Sequence, residues 1–268
     1  MINENKFKKI TKLGGLNNTN FLLENDNFKY VLRIPSKENK NSFKKEHYIL
    51  TFASLNELSP PIIYHNEDNG LLISKFLKDS NVSFSKFTSY EFLEKLSSTL
   101  KKFHKLKAPF YFNPFNLIRE NLKFLNENNF EFPREVAPLL HKLNYLEEKL
   151  KENRLIGLCH NDLNSSNVLY YDDKAYLIDF EFSAMGDIFF DLATLSWMLE
   201  EKERYFLLKS YFGYYSQSLM NRLTDYLFVV KLWNASWSFI KSLDSDSTYD
   251  YRLGGNMILD DLYPNYLS

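Results

Sequence analysis

Apolar and polar residues alternate over short runs in the first third of the chain, and the breaks between runs fall on turn-forming residues. Segments 7–12 and 20–24 read as strands joined by Leu-Gly-Gly-Leu-Asn-Asn-Thr, and Asn25-Asp26-Asn27 turns the chain into a third strand, 29–34, that Pro35 ends. Ser42 predicts the N-cap of a helix reaching about Asn56, with Phe43, Tyr48, Ile49, Phe52 and Leu55 on its apolar side. Pro60-Pro61 breaks that pattern, and segments 62–64 and 71–76 predict a hairpin that closes a small sheet.

Past Lys78 the apolar period becomes helical. Thr88 with Glu91 has the spacing of a capping box, and Phe92, Leu93, Leu96, Leu100 and Phe103 follow at helical intervals. Further helices are predicted at about 114–126 and 134–151, then two short strands, and helical spacing returns from Asp187 to the end. No internal repeat or low-complexity linker interrupts the chain. The pattern predicts an α+β fold with a small N-terminal lobe, residues 1–78, of antiparallel sheet with one helix. A large, mainly α-helical C-terminal lobe, residues 79–268, completes it, with a cleft between the two.

Composition narrows the function classes. With 44% hydrophobic and 17% aromatic residues against 25% charged, the 268-residue chain is globular and large enough for a sizeable core. A net charge of -1, from 33 basic and 34 acidic residues, gives no electrostatic case for nucleic acid or an anionic membrane surface. The single cysteine, Cys159, excludes an internal disulfide and a multi-cysteine zinc site, as a reducing compartment would favour. The lysine-rich start lacks the apolar run of a signal peptide, and no stretch is long and apolar enough to cross a bilayer, so a cytoplasmic location is expected.

The chemistry concentrates in Cys-His-Asn-Asp-Leu-Asn-Ser-Ser-Asn and, after a predicted hairpin, Ile-Asp-Phe-Glu. Phosphoryl transfer requires a group that orients the acceptor hydroxyl, cations that screen the phosphates and donors that fix the nucleotide. Asp162, in a loop between apolar strands, can accept the proton of an alcohol. Asn167 and Asp179 flank strands predicted at 168–171 and 175–178, so pairing of those strands brings two hard oxygen ligands for Mg2+ side by side. Glu181, two residues on, points the same way in an extended chain and is a substrate-binding candidate. His160 organises the loop, and Asp191 braces it from the next helix. In the first lobe, Gly14-Gly15 would let backbone approach a phosphate, while Arg33 on the third strand and Glu46 on the helix form a charged pair. Arginine there binds phosphate as a planar fork, not as the point charge of a lysine.

These motifs resemble the choline/ethanolamine kinase group within the aminoglycoside phosphotransferase and protein kinase-like superfamily, over almost the whole length. Lys-Leu-Gly-Gly-Leu-Asn-Asn-Thr-Asn-Phe and Tyr-Val-Leu-Arg-Ile-Pro are similar to the glycine-rich turn and arginine strand of its bacterial members, and the two later motifs to signatures shared with the eukaryotic ones. The resemblance implies a two-lobed protein kinase-like fold using ATP and Mg2+, with Asp162 as the catalytic aspartate and Asn167 and Asp179 as the metal ligands. It implies that Gly14, Gly15, Asn17, Arg33 and Glu46 hold the nucleotide phosphates and that segment 73–76, with Ser74 and Phe76, meets the adenine through its backbone.

For the acceptor it implies choline or a close amino alcohol such as ethanolamine, giving phosphocholine in the first case. A quaternary ammonium has no hydrogen to donate, so aromatic faces and nearby carboxylates must recognise it. Trp197, Trp233 and Trp237, with Glu181, are the candidates, although an aromatic stripe filling a helical core fits the same spacing. The nine acidic and seven basic residues between Glu200 and Ser268 favour a small cation over a polyamine aminoglycoside; thiamine and other amino alcohols stay open. Intact Asp162, Asn167, Asp179 and Arg33 speak against a nucleotide-binding pseudokinase scaffold.

Overall fold

A computed structural model describes residues 9–14, 18–25, 27–35, 40–244 and 249–266. Strands β1 (Lys9–Leu13), β2 (Asn18–Glu24), β3 (Lys29–Pro35), β4 (Ile62–His65) and β5 (Leu72–Lys75) form one antiparallel sheet in the order β1-β2-β3-β5-β4. Chain order and spatial order differ at one point only. Helix α1 (Lys40–Leu55) leaves β3 and returns the chain to the far edge, so β3 lies in the middle of the sheet.

Two expectations for α1 need correcting. The helix begins at Lys40, so Ser42 lies in its first turn and does not cap it. Its buried side carries Phe43, Glu46, Ile49, Leu50 and Ala53, whereas Tyr48, Phe52 and Leu55, expected inside, are exposed. Glu46, bonded to Arg33 at 2.6 Å, shares the buried side, so the inward face of the helix is not the one that the apolar residues alone mark out.

The helical lobe opens with a one-turn helix, α2 (Phe84–Phe87), that the apolar pattern does not announce. Because α2 ends on Thr88, the N-cap of α3 (Tyr90–Phe103) moves one residue on to Ser89, whose Oγ accepts the Phe92 N–H. The expected Thr88 and Glu91 capping box is therefore absent, and Glu91 instead accepts from Lys86 and the Tyr170 hydroxyl. Phe92, Leu93, Leu96, Leu100 and Phe103 are fully buried as the spacing predicted. Each contributes about 1.5–3 kcal/mol relative to exposure.

Helix α4 (Pro114–Glu127) starts from Asn113, which caps the Phe115 and Asn116 N–H groups, with Pro114 in the first turn where no donor is needed. Helix α5 (Ala137–Leu150) begins three residues later than expected, because Pro138 has no N–H to give to the Arg134 carbonyl and fits only in the first turn. The remaining helices are α6 (Phe189–Ser196), α7 (Glu201–Phe212), α8 (Gln217–Lys241) and α9 (Tyr251–Tyr266). Helix α8 runs through the lobe and packs against α4, α6 and α9, with residues 226–233 buried all round.

Between the helices lie two small antiparallel pairs: β6 (Ile156–Cys159) with β9 (Ala184–Asp187), and the hairpin of β7 (Val168–Tyr171) and β8 (Lys174–Leu177). The sequence gives no strand signal for Ala184-Met185-Gly186-Asp187, which is buried throughout and cannot show alternation. Gly157 on β6 explains how closely this pair sits on α3. A Cβ there would lie 2.6 Å from the His104 carbonyl oxygen, so only glycine lets the strand approach the helix end.

Candidate active site

The catalytic-loop motif leaves β6 at Cys159 and is pinned at once from below. Asp191, fully buried on α6, accepts the backbone N–H groups of His160 and Asn161, both at 2.7 Å, one on each carboxylate oxygen. His104 Nε2 stands 3.0 Å from the same carboxylate, and its Nδ1 stands 2.7 Å from the Tyr211 hydroxyl. His160 points its Nε2 at the Ile178 carbonyl, 2.9 Å away, with its ring against Phe103 and Phe180. A ring nitrogen facing a carbonyl has to carry the proton, so this imidazole ties the loop to the residue before Asp179.

Above this floor the backbone turns sharply. Asn161 and Asp179 both have positive φ, 64° and 65°, conformations that asparagine and aspartate tolerate best after glycine. The two turns bring the sequence-predicted carboxylates to one place. Asp162 accepts from Asn164 Nδ2 at 3.1 Å and from Asn167 Nδ2 at 2.7 Å, and its main-chain oxygen takes a second bond from Asn167 at 2.9 Å. A one-turn 3₁₀ segment, Ser165–Asn167, capped by Asn164, places Asn167 at the foot of β7, where its carbonyl accepts the Ile178 N–H. The hairpin thus joins Asn167 to the strand leading into Asp179, across the pairing of Val168 with Leu177. Asn164 is absent from the sequence reading, although it lies within the same motif.

From the other lobe, Arg33 on β3 spans the cleft. Its Nη2 donates to Glu46 at 2.6 Å and its Nη1 to Asp179 at 3.2 Å, and both Arg33 and Glu46 are buried, 9% and 3% exposed. Gly14 leads toward the turn on this side, and a side chain at that position would meet nothing within 4 Å, so crowding does not demand glycine there. Gly15 and Asn17 lie outside the described residues. Ser74 is on β5 opposite Val31. The N–H groups of Lys75 and Phe76 donate to Pro61 and Lys29 carbonyls, so segment 73–76 has spent these two donors within the sheet.

Crowding shapes the electrostatics. Burial lifts the Asp162 carboxyl to about 6, an effect that His160 and the two asparagine bonds oppose. Glu181 is pushed up to about 7 by burial and by Asp179, Glu46 and Asp162. Burial also raises Asp179, against the pull of Arg33. Buried carboxylates that hold their protons this tightly mark a cleft short of positive charge. Asn167 has turned its amide nitrogen to Asp162, which leaves its carbonyl oxygen as an acceptor, and Asp179 offers carboxylate oxygens. This hard-oxygen donor set fits Mg2+.

Beside the loop opens a cavity of about 340 Å³, walled by Tyr111, Phe112, Phe182, Trp233 and Trp237, with Lys45 as its one charged lining residue among the described residues. Asn161 Nδ2 donates to the Phe182 carbonyl at 2.9 Å, linking the residue before Asp162 to this wall. Trp233 is 6% exposed and meets Phe112, Phe182 and Phe190 edge to face. Trp197 is a correction. Its ring faces Lys231, which lies two residues from Trp233 on α8 and so on nearly the opposite side of that helix, where it pairs with Asp261. A larger hollow of about 510 Å³, bounded by only Glu200, Glu201, Lys202 and Tyr205, lacks walls that could enclose a ligand. Sequence reasoning missed Tyr111, Phe112, Phe182 and Lys45; the Phe-Tyr-Phe run at 110–112 and the adjacency of Lys45 to Glu46 were the available signals.

Comparison with known proteins shows the fold and the family. Protein LicA of Haemophilus influenzae is 26% identical over 261 residues, spanning 91% of this chain and 76% of its own. A choline/ethanolamine kinase family protein from Mesorhizobium loti superimposes with a TM-score of 0.82 at 22% identity, over 97% of this chain and 90% of that one. Choline kinase LicA from Streptococcus pneumoniae does so with a TM-score of 0.80 at 19% identity, over 96% and 94%. At such identities the two structures establish the two-lobed kinase-like fold. The family model described as the phosphotransferase enzyme family matches residues 9–226, a span that holds Arg33, Glu46, Asp162, Asn167 and Asp179, and the chain belongs to that family.

Proposed function

We propose that this phosphotransferase moves the γ-phosphoryl group of ATP to the hydroxyl of choline or a close amino alcohol. The observation that carries the reading is the bond from Asn161 to the Phe182 carbonyl, which sets the loop of Asp162 against an aromatic pocket. In this reading residues 1–78 form the nucleotide-binding lobe and residues 79–268 the catalytic and substrate-binding lobe. Asp162 accepts a hydrogen bond from the acceptor hydroxyl and takes its proton as the oxygen attacks phosphorus. Arg33, held by Glu46, donates to nucleotide phosphate oxygens, and its planar fork fixes their orientation. Asn167 and Asp179 would hold Mg2+, which when bound supplies charge screening for the phosphates. Trp233 and Trp237 present faces to the acceptor's ammonium, and Glu181 lends negative charge near the cleft.

A polyamine antibiotic fits less well, because among the described residues no aspartate or glutamate lines the cavity. The test is coupled ADP release with ATP and magnesium across choline, ethanolamine, thiamine and kanamycin, each beside Asp162→Ala. Choline-dependent turnover that the variant abolishes while still binding ATP is expected. Turnover with kanamycin alone, or turnover kept by Asp162→Ala, would overturn the acceptor or the role of Asp162, respectively.

A further inference from the structure

Among the described residues, the pocket that the reading above gives to a cationic alcohol is lined by one charged side chain, and it is positive. Lys45 enters from α1, immediately before Glu46, while Phe182, Trp233 and Trp237 belong to the helical lobe. Burial weakens the hold of Lys45 on its proton, and the fields of Glu181 and Glu46 oppose that loss. Those carboxylates are not among the described lining residues, so Lys45 brings a positive charge to a lining that is otherwise mostly aromatic. Aromatic faces attract any cation, and two cations confined to one small pocket repel each other strongly.

Resting on the choline-type reading, we propose that Lys45 is a specificity-determining residue, an internal ammonium that a cationic acceptor must displace. It holds down the preference of the pocket for a cation over a neutral alcohol of the same shape. An acceptor is then retained for fit to the walls and for its hydroxyl as well as for its charge. The displacement occurs one residue from Glu46, so filling the acceptor pocket acts on the helix that holds Arg33.

The experiment titrates choline and its neutral carbon isostere, 3,3-dimethylbutan-1-ol, into the full chain and reads binding by indole fluorescence. Lys45→Met should tighten choline about tenfold and leave the isostere within about twofold, as loss of a nearby like charge requires. Lys45→Arg should keep the wild-type ratio, and Lys45→Gln provides a second neutral side chain should the methionine variant fail to fold. An unchanged choline-to-isostere ratio in the neutral variants, or weaker choline binding, overturns the proposal. Absence of choline turnover in the wild type would instead overturn the functional reading, and the binding ratio would still decide the role of Lys45.

Discussion

Under the catalytic loop, one carboxylate takes two backbone donors at 2.7 Å, with an imidazole at 3.0 Å. Around the aromatic cavity, Trp233 meets three phenylalanines edge to face, with centroids between 5.6 and 6.2 Å. The first arrangement is directional and fails if one partner is lost; the second is broad and can repack. The difference teaches where this protein can change. In the proposed reading, chemistry rests on bonds that fix Asp162 relative to Asp179, whereas selectivity rests on surfaces that tolerate substitution. The pocket should therefore respond in affinity and the floor in stability.

The sharpest break is Asp191→Ala. It strands two buried N–H groups and removes the partner of His104, and chemical denaturation should show a loss of about 3–5 kcal/mol with turnover largely gone. Asp191→Asn, which keeps an acceptor, should lose less.

Asp162→Asn should have the opposite sign in stability. The folded-state carboxyl, lifted to about 6, lies above its ordinary 3.8, so the folded chain binds that proton more tightly than the unfolded one. The benefit is complete below 3.8 and disappears as pH rises through about 6, where the buried group must ionise. In protein free of nucleotide and metal, Asp162→Asn should therefore gain about 1–3 kcal/mol at pH 7 and nothing below pH 3.8, while turnover falls at least about a thousandfold. Thermal melts across pH test the first part, and an unchanged melting temperature at pH 7 refutes it.

The pocket should behave differently. Trp237→Ala, partly buried against Tyr251, is expected to raise the acceptor KM about tenfold and to cost about 1 kcal/mol of stability. The smallest effect belongs to Tyr111→Ala. This side chain is 82% exposed at the pocket wall, so its loss should stay within about 0.5 kcal/mol while the acceptor KM rises about twofold. A stability loss from Tyr111→Ala as large as that from Asp191→Ala would erase the distinction between the two regions.

The legibility of these regions in the sequence follows the same division. The hairpin β7–β8 lies where alternation predicts it, because its strands are short, half-exposed and bracketed by turn residues. Strand β9 is invisible because burial on every side removes alternation. Asp162, Asn167 and Asp179 could be read together because one hairpin joins them. His104 and Tyr211 could not, since packing of distant helices brings them to the site and nothing local in the chain marks it. Tyr48, Phe52 and Leu55 misled for a related reason: an apolar stripe assumes that the core wants only apolar residues, and α1 has Glu46 to deliver. Trp197 shows that three tryptophans in one quarter of a chain need not share a face.

The bond between Arg33 and Asp179 joins residues 146 positions apart, which has a consequence for synthesis. On a ribosome that adds about 5–20 residues per second, roughly 7–30 s pass between the emergence of the arginine and that of its second acid. Helix α1 follows Arg33 directly, so Glu46 is available within seconds and can guard the guanidinium through that interval. Asp179 follows the hairpin β7–β8, so a nascent chain stopped before that hairpin holds Arg33 with only the first of its two acids.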